Sequence, residues 1–383
     1  MITQDVAYIG TYDEDIDLFE GQYRVPDGVT YNSYIIFDEK VAVVDTVDAR
    51  RKDRFIANLR NTLDGRRPDY LIINHVEPDH AACIKAVMDI YPEIQPVCSA
   101  KAIQMLPLFY EGVDLSRAVA VKEGDKLCLG RHTLTFVMAP MVHWPEVMVT
   151  YDACDRILFS ADGFGRFGSA DPADPWDDEA RRYYANIAGK YGAQVQALLK
   201  KAAALDIDVV CPLHGPVLRG DDLIHALALY DTWSSYRPES RAVLVAYGSL
   251  HGNTAAAAEK LAGLLREKGQ EVFVADLARC DMSEALSLAF RCDRLVLASA
   301  TYDGGLTPFM ADFLNHLAAK GFRGRTVGMI ENGAWAPMAA KLMGGALEGM
   351  RDMTVVSPAV TLRGAFKESD MPMLSSLAAV LSR

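Results

Sequence analysis

Asn74-His75-Val76-Glu77-Pro78-Asp79-His80 is the stretch on which the reading of the fold turns. Between positions 75 and 80 it carries two imidazoles and two carboxylates. The apolar run Tyr70-Leu71-Ile72-Ile73 before it reads as a buried strand. Ala81 to Ile90, with apolar residues at 81, 84, 87, 88 and 90, reads as a helix. The cluster is therefore expected in the loop leaving the carboxyl end of a strand, where layered α/β folds place their sites. Crowding such groups together is costly unless something positive pairs them, and a metal ion does this best.

Three later residues repeat the event. His143 follows the strand His132 to Met138, within Pro140-Met141-Val142-His143-Trp144-Pro145. Asp162 follows Arg156-Ile157-Leu158-Phe159-Ser160, and His214 follows Ile207 to Pro212. Taken singly, each is an ordinary loop residue. Four occurrences of a ligand-type residue at a strand end are hard to explain by solvation, and strands of adjacent sheets can end at one rim. Together they supply four imidazoles and three carboxylates, His75, Glu77, Asp79, His80, His143, Asp162 and His214, with no thiolate. Nitrogen and oxygen donors of this kind suit iron or manganese, with zinc the usual alternative. Two divalent ions bring +4 against −3 from Glu77, Asp79 and Asp162. Seven ligands, one of them bridging, leave open positions where a diatomic could bind.

The chain has 383 residues and a net charge of −12, so two domains are expected and nucleic acid is disfavoured as a partner. No apolar run is long enough for a membrane span, and the start lacks a signal-peptide pattern. The expected compartment is the cytoplasm. None of the seven cysteines forms C-x-x-C, which argues against a zinc ribbon or rubredoxin-type iron site within the chain. His132, His225 and His316 lie within strand or helix patterns and are expected to be structural or on the surface.

Further strands are expected at 6–10, 29–37, 41–45, 95–98, 126–128 and 148–151, with helices at 52–63, 100–106 and 179–202. This succession suggests two sheets sandwiched between helices. A polar stretch, Trp233 to Ser240, reads as a domain joint, dividing residues 1–240 from 241–383. Beyond it, strands at 242–247, 271–275, 294–299, 326–330 and 354–361 alternate with helices, which implies a doubly wound parallel sheet. The loop Ser249-Leu250-His251-Gly252-Asn253-Thr254 precedes a helix and is a candidate phosphate cradle.

The metal-loop pattern H-x-E-x-D-H is close to the H-x-H-x-D-H loop of the metallo-β-lactamase superfamily, with Glu77 in place of the middle His. With His143, Asp162 and His214 in order, and with Thr30-Tyr31-Asn32-Ser33-Tyr34, His143-Trp144-Pro145 and His214-Gly215-Pro216, the chain resembles the flavodiiron proteins over essentially its whole length. The resemblance implies an αββα metallo-β-lactamase-like sandwich followed by a flavodoxin-like sheet. It implies one iron on His75, Glu77 and His143, a second on Asp79, His80 and His214, and Asp162 bridging them. It also implies FMN held by Ser249 to Thr254, by Thr301-Tyr302-Asp303-Gly304-Gly305, and by Asn332-Gly333-Ala334-Trp335, with Tyr302 and Trp335 over the ring. Ala300 and Asp303 depart from the family's frequent Pro and Asn, and the third loop lacks its common Ser. The activity implied is reduction of dioxygen to water or nitric oxide to nitrous oxide, with electrons from a rubredoxin-like donor and a head-to-tail homodimer or a tetramer. The alternative is a dinuclear-zinc hydrolase fused to a flavodoxin-like domain, which Glu77 disfavours.

Overall fold

The computed structural model describes residues 1–383. It divides into two compact units, Met1–Tyr184 with Ala193–Asp231, and Ala185–Gly192 with Thr232–Arg383.

The first unit holds two six-stranded sheets. One runs Val6–Tyr8, Tyr34–Ile36, Ala42–Val44, Tyr70–Ile73, Gln95–Ser99 and Val119–Val121, antiparallel at first and parallel from Ala42 onward. The other runs Lys126–Cys128, Thr133–Met138, Met148–Asp152, Ile157–Phe159, Val209–Cys211 and Leu218–Arg219. Its strands pair antiparallel except for Ile157–Phe159 beside Val209–Cys211. Inward-facing residues of both sheets form one buried core, in which Tyr34, Ile36, Val44 and Ile72 join Leu134, Phe136, Met148 and Phe159. The helix Lys52–Leu63 buries Phe55, Leu59 and Leu63, a stripe at helical spacing.

In the first unit three expected elements are laid out differently. The stretch 29–37 forms two strands, Val29–Tyr31 and Tyr34–Ile36, which join different sheets. The helix after the metal loop begins earlier, as Pro78–Ala81, and resumes as Ile84–Ile90. Proline is pre-set for the first helical position, where its missing N–H costs nothing. Residues 179–202 divide into Asp177–Ile187, a single turn Gly189–Tyr191 and Gly192–Ala202. Gly189 and Gly192 weaken a continuous helix there by roughly 1 kcal/mol each.

The second unit is a parallel sheet whose spatial order is Glu271–Asp276, Ser240–Gly248, Cys292–Tyr302, Thr326–Asn332 and then an edge. In sequence order this is 2-1-3-4-5, the flavodoxin-like winding. The expected edge strand 354–361 is split into Thr354–Val355 and Val360–Leu362, with Pro358 between them unable to donate to the ladder. Val243, Val245, Val296 and Ile330 pack against Ala258, Leu261 and Leu265 of the helix Asn253–Glu267 and against Leu374, Leu377 and Leu381 of Met371–Leu381. No helix is long and apolar enough to cross a membrane.

Candidate metal centre

The first-unit site is assembled by a clamp that starts at Thr30. Its carbonyl oxygen lies 2.6 Å from His214 Nδ1, and its hydroxyl accepts from the Gly215 N–H at 2.7 Å. Asn32 donates through Nδ2 to the carbonyls of Pro212 and Gly215, both at 2.9 Å. Tyr34 donates its hydroxyl to Pro212 O at 2.6 Å, and Asn32 N–H donates to Leu213 O. These bonds explain the break in the expected strand: Asn32 and Ser33 spend their polar groups on other segments instead of on the ladder. With Nδ1–H donating to Thr30 O, His214 points the lone pair of Nε2 into the site.

All seven expected side chains converge. His75 Nε2 and His143 Nε2 lie 3.0 and 2.9 Å from Glu77 Oε2, and 3.2 and 3.3 Å from Asp162 Oδ2. His80 Nε2 and His214 Nε2 lie 3.1 and 3.2 Å from Asp79 Oδ2, and 3.1 Å from each other. Asp162 Oδ1 is 3.1 Å from His80 Nε2 and 3.7 Å from His214 Nε2. The donor atoms thus form two groups, His75–Glu77–His143 and Asp79–His80–His214, with one Asp162 oxygen turned to each. Asp79 and His80 stand on the short helix Pro78–Ala81 and not in open loop.

A metal fits this arrangement on two grounds. Both oxygens of Asp79 and both of Asp162 are buried, and none accepts a hydrogen bond of good geometry. The nearby ring nitrogens are close to them but are not aimed at them. Atoms that crowd together without bonding to one another are placed to share a central cation.

Electrostatics of the metal-free chain point the same way. Burial disfavours a charged His80, yet Asp79 and Asp162 outweigh it and hold its pKa up at about 10. His143, also opposed by burial, is held up at about 9 by Asp162 and Glu77. Burial alone would raise the carboxyl of Asp162, but His75 and His80 bring it well below the usual carboxylate range. The two histidine shifts stabilise the metal-free fold fully below the ordinary value of 6.5, and that stability is lost as pH rises through about 9 and about 10. Urea midpoints of chelator-stripped protein should therefore fall between neutral pH and pH about 10, while metal-loaded protein stays flat, its imidazoles already unprotonated.

Glu146 was not singled out from the sequence, although it stands one place beyond His143-Trp144-Pro145. It is buried, its Oε1 lies 2.7 Å from His75 Nδ1, and the same oxygen accepts the Val76 N–H. It thereby sets the tautomer and tilt of His75. Glu146→Gln, which keeps the shape and removes the charge, should weaken metal binding about 10–100-fold in equilibrium dialysis. Asp45 acts similarly on the loop itself, accepting from Asn74 N and Nδ2.

In the second unit the phosphate-loop candidate runs from Ser249 to the helix start at Asn253, with Gly252 at φ 84°. Ser249 Oγ accepts from Ala255 N–H, and Thr254 is buried. Leu250, His251 and Gly252 are exposed. Thr301 and Tyr302 prove to be strand residues, and Asp303-Gly304, both at positive φ, turn the chain back so that Tyr302 pairs with Gly305. Thr301 Oγ1 accepts from Met338 and Ala339 N–H. Asn332 ends its strand with its side chain bonded to both backbone groups of Gly364. The three segments leave the carboxyl ends of neighbouring parallel strands, at the winding reversal between Ser240–Gly248 and Cys292–Tyr302. Tyr302 and Trp335 are 45% and 84% exposed, so neither packs into the core. Gly333 and Ala334 lead to Trp335, and an added Cβ at Gly333 would meet Pro337 at 2.8 Å. Trp335→Ala should leave unfolding midpoints unchanged and weaken FMN binding about tenfold, the worth of one aromatic stack of about 1.4 kcal/mol.

The ODP family beta lactamase family matches residues 29–215. Over 347 residues the chain is 32% identical to the anaerobic nitric oxide reductase flavorubredoxin of Aliivibrio salmonicida, covering 87% of this chain and 69% of that one. It is 27% identical over 385 residues to the rubredoxin-oxygen oxidoreductase of Megalodesulfovibrio gigas, covering 98% and 95%. The crystal structure of the flavodiiron protein from Giardia intestinalis superposes with a TM-score of 0.92 at 26% identity, covering 100% of this chain and 95% of that one.

Proposed function

The chain belongs to the flavodiiron protein family, and from that premise we propose how its own side chains divide the work. It is an oxidoreductase with two iron ions and FMN as cofactors. It reduces dioxygen to water, nitric oxide to nitrous oxide, or both, with electrons that reach FMN from a rubredoxin-type donor. When bound, the iron pair would supply the redox chemistry for the diatomic and FMN the electron supply to it.

His75, Glu77 and His143 would hold one iron, Asp79, His80 and His214 the other, and Asp162 both. The observation that carries this assignment is the orientation of Asp162, whose Oδ2 faces His75 and His143 while Oδ1 faces His80 and His214. The rings of His75, His80 and His214 are wholly buried, whereas His143, Glu77 and Asp79 keep slight exposure. Substrate approach is proposed on their side. Glu146 and Thr30 O keep His75 and His214 in the ligating tautomer, so no reorientation is required when the ions bind.

For FMN, Ser249 to Thr254 would cradle the phosphate with backbone amides at a helix start, and Thr301 to Gly305 with Asn332 to Trp335 would line the ring. Tyr302 and Trp335 would cover it. Residues 1–240 are proposed as the di-iron part and 241–383 as the flavin part. A head-to-tail dimer, bringing the FMN of one copy to the irons of another, and a cytoplasmic setting complete the reading; seven free thiols support the latter.

The test is anaerobic reduction of iron- and FMN-loaded protein by reduced rubredoxin, followed by oxygen or nitric oxide. Sustained consumption of either gas is expected. Two bound zinc ions with ester hydrolysis and no gas uptake would overturn the reading.

A further inference from the structure

We propose that His132, Cys154 and Asp155 form a separate divalent-cation site of zinc type, at the rim of the second sheet opposite the seven ligands. The topology separates the two places. His143 follows the carboxyl end of Thr133–Met138, whereas His132 precedes its amino end. Asp162 follows Ile157–Phe159, whereas Cys154 and Asp155 precede it.

A ring nitrogen of His132, the Cys154 sulfur and an Asp155 carboxylate oxygen lie within 4.8 Å of one another. Ligand atoms on a tetrahedral zinc stand about 3.3–3.7 Å apart, so small side-chain rotations close the set. His132 is already oriented for binding. It is wholly buried, and its Nδ1 lies 2.8 Å from Oδ2 of the equally buried Asp152. This repeats the carboxylate that Glu146 places behind His75, and it leaves Nε2 with a lone pair to give. A cation already uses that lone pair. Arg131 Nη2 sits 3.2 Å from His132 Nε2 and contacts Asp5, and its side chain is 57% exposed and free to swing away. Asp5 Oδ2 lies 3.4 Å from the same nitrogen, beside Arg131.

The surroundings favour a dication. Asp5, Asp38, Asp152 and Asp155 meet there against Arg131. Burial, with Asp152, Asp155 and Asp38, pushes the Cys154 thiol up, against Arg131. Binding would therefore exchange the thiol proton, released to water, for a sulfur–metal bond with no change of oxidation state. A thiolate in the donor set, absent from the seven-ligand site, selects zinc over iron or manganese. The ion would fasten the amino-terminal segment, where Thr3 already donates to Asp155 at 2.5 Å, to two sheet turns.

The test uses iron-replete holoprotein equilibrated with zinc, dialysed, and assayed for both metals. One zinc per chain beyond undiminished iron is expected, absent in Cys154→Ser and at least about tenfold weaker in Asp155→Asn. Arg131→Ala removes the competing cation and should tighten uptake. With cobalt instead, a thiolate-to-metal charge-transfer band should appear in the wild-type difference spectrum and vanish in Cys154→Ser, a part-exposed change that spares the core. Equal uptake by wild type and Cys154→Ser, zinc gained only as iron is lost, or no uptake by wild type and Arg131→Ala would each overturn the proposal.

Discussion

Asp162→Ala is expected to lower turnover by about 100-fold or more, beyond the upper range for losing a mere outer-shell partner, and to leave well under two irons per chain. The reason is that both oxygens of one buried carboxylate face both halves of the site. Its removal takes one of three negative charges from beside two dications, and it strips a donor atom from each group at once. FMN content should not change, because the segments proposed to hold it, at Ser249, Thr301 and Asn332, belong to the other compact unit. Asp162→Asn keeps the shape and one oxygen donor, so it should retain more iron than the alanine variant. Metal analysis beside flavin absorbance checks this, and wild-type rate with full iron in Asp162→Ala would refute the bridging role.

Asn32→Ala should have the second largest effect, although Asn32 touches no metal-binding atom. Its amide donates to Pro212 O and Gly215 O, and its Oδ1 accepts from the Tyr8 hydroxyl at 3.0 Å. Alanine removes both donations; Pro212 O keeps the Tyr34 hydroxyl, while Gly215 O loses its side-chain donor, at roughly 1–3 kcal/mol. A loss of roughly 1–3 kcal/mol in urea unfolding of stripped protein is expected. The same change frees the segment that carries His214, so iron should fall in the Asp79–His80–His214 half. Asn32→Asp should not rescue, since a carboxylate cannot donate. Unaltered unfolding and full iron in the alanine variant would remove the clamp from the account.

The seven converging side chains were readable because each follows a local signal, an apolar run ending in an imidazole or a carboxylate. The winding of the second unit was readable for the same reason, as strands such as Ala242 to Tyr247 are unbroken apolar runs between helical patterns. The Asp303-Gly304 turn was also legible, since Asp-Gly is a favoured two-residue hairpin, but a loop reading passed over it. Glu146 had no such signal. A lone glutamate after a proline is indistinguishable from a solvated one until the fold puts His75 behind it.

Local patterning alone thus determined which side chains converge and which layers they hang from, because strand period, helix period and turn residues act over a few neighbours. Only the tertiary structure decided what holds those side chains in place. Asn32 reaches Pro212 and Gly215, Glu146 reaches His75, and Asp152 reaches His132 across gaps of 183, 71 and 20 residues at most. Such bonds depend on how sheets stack and where strands end, and no short stretch of chain encodes that.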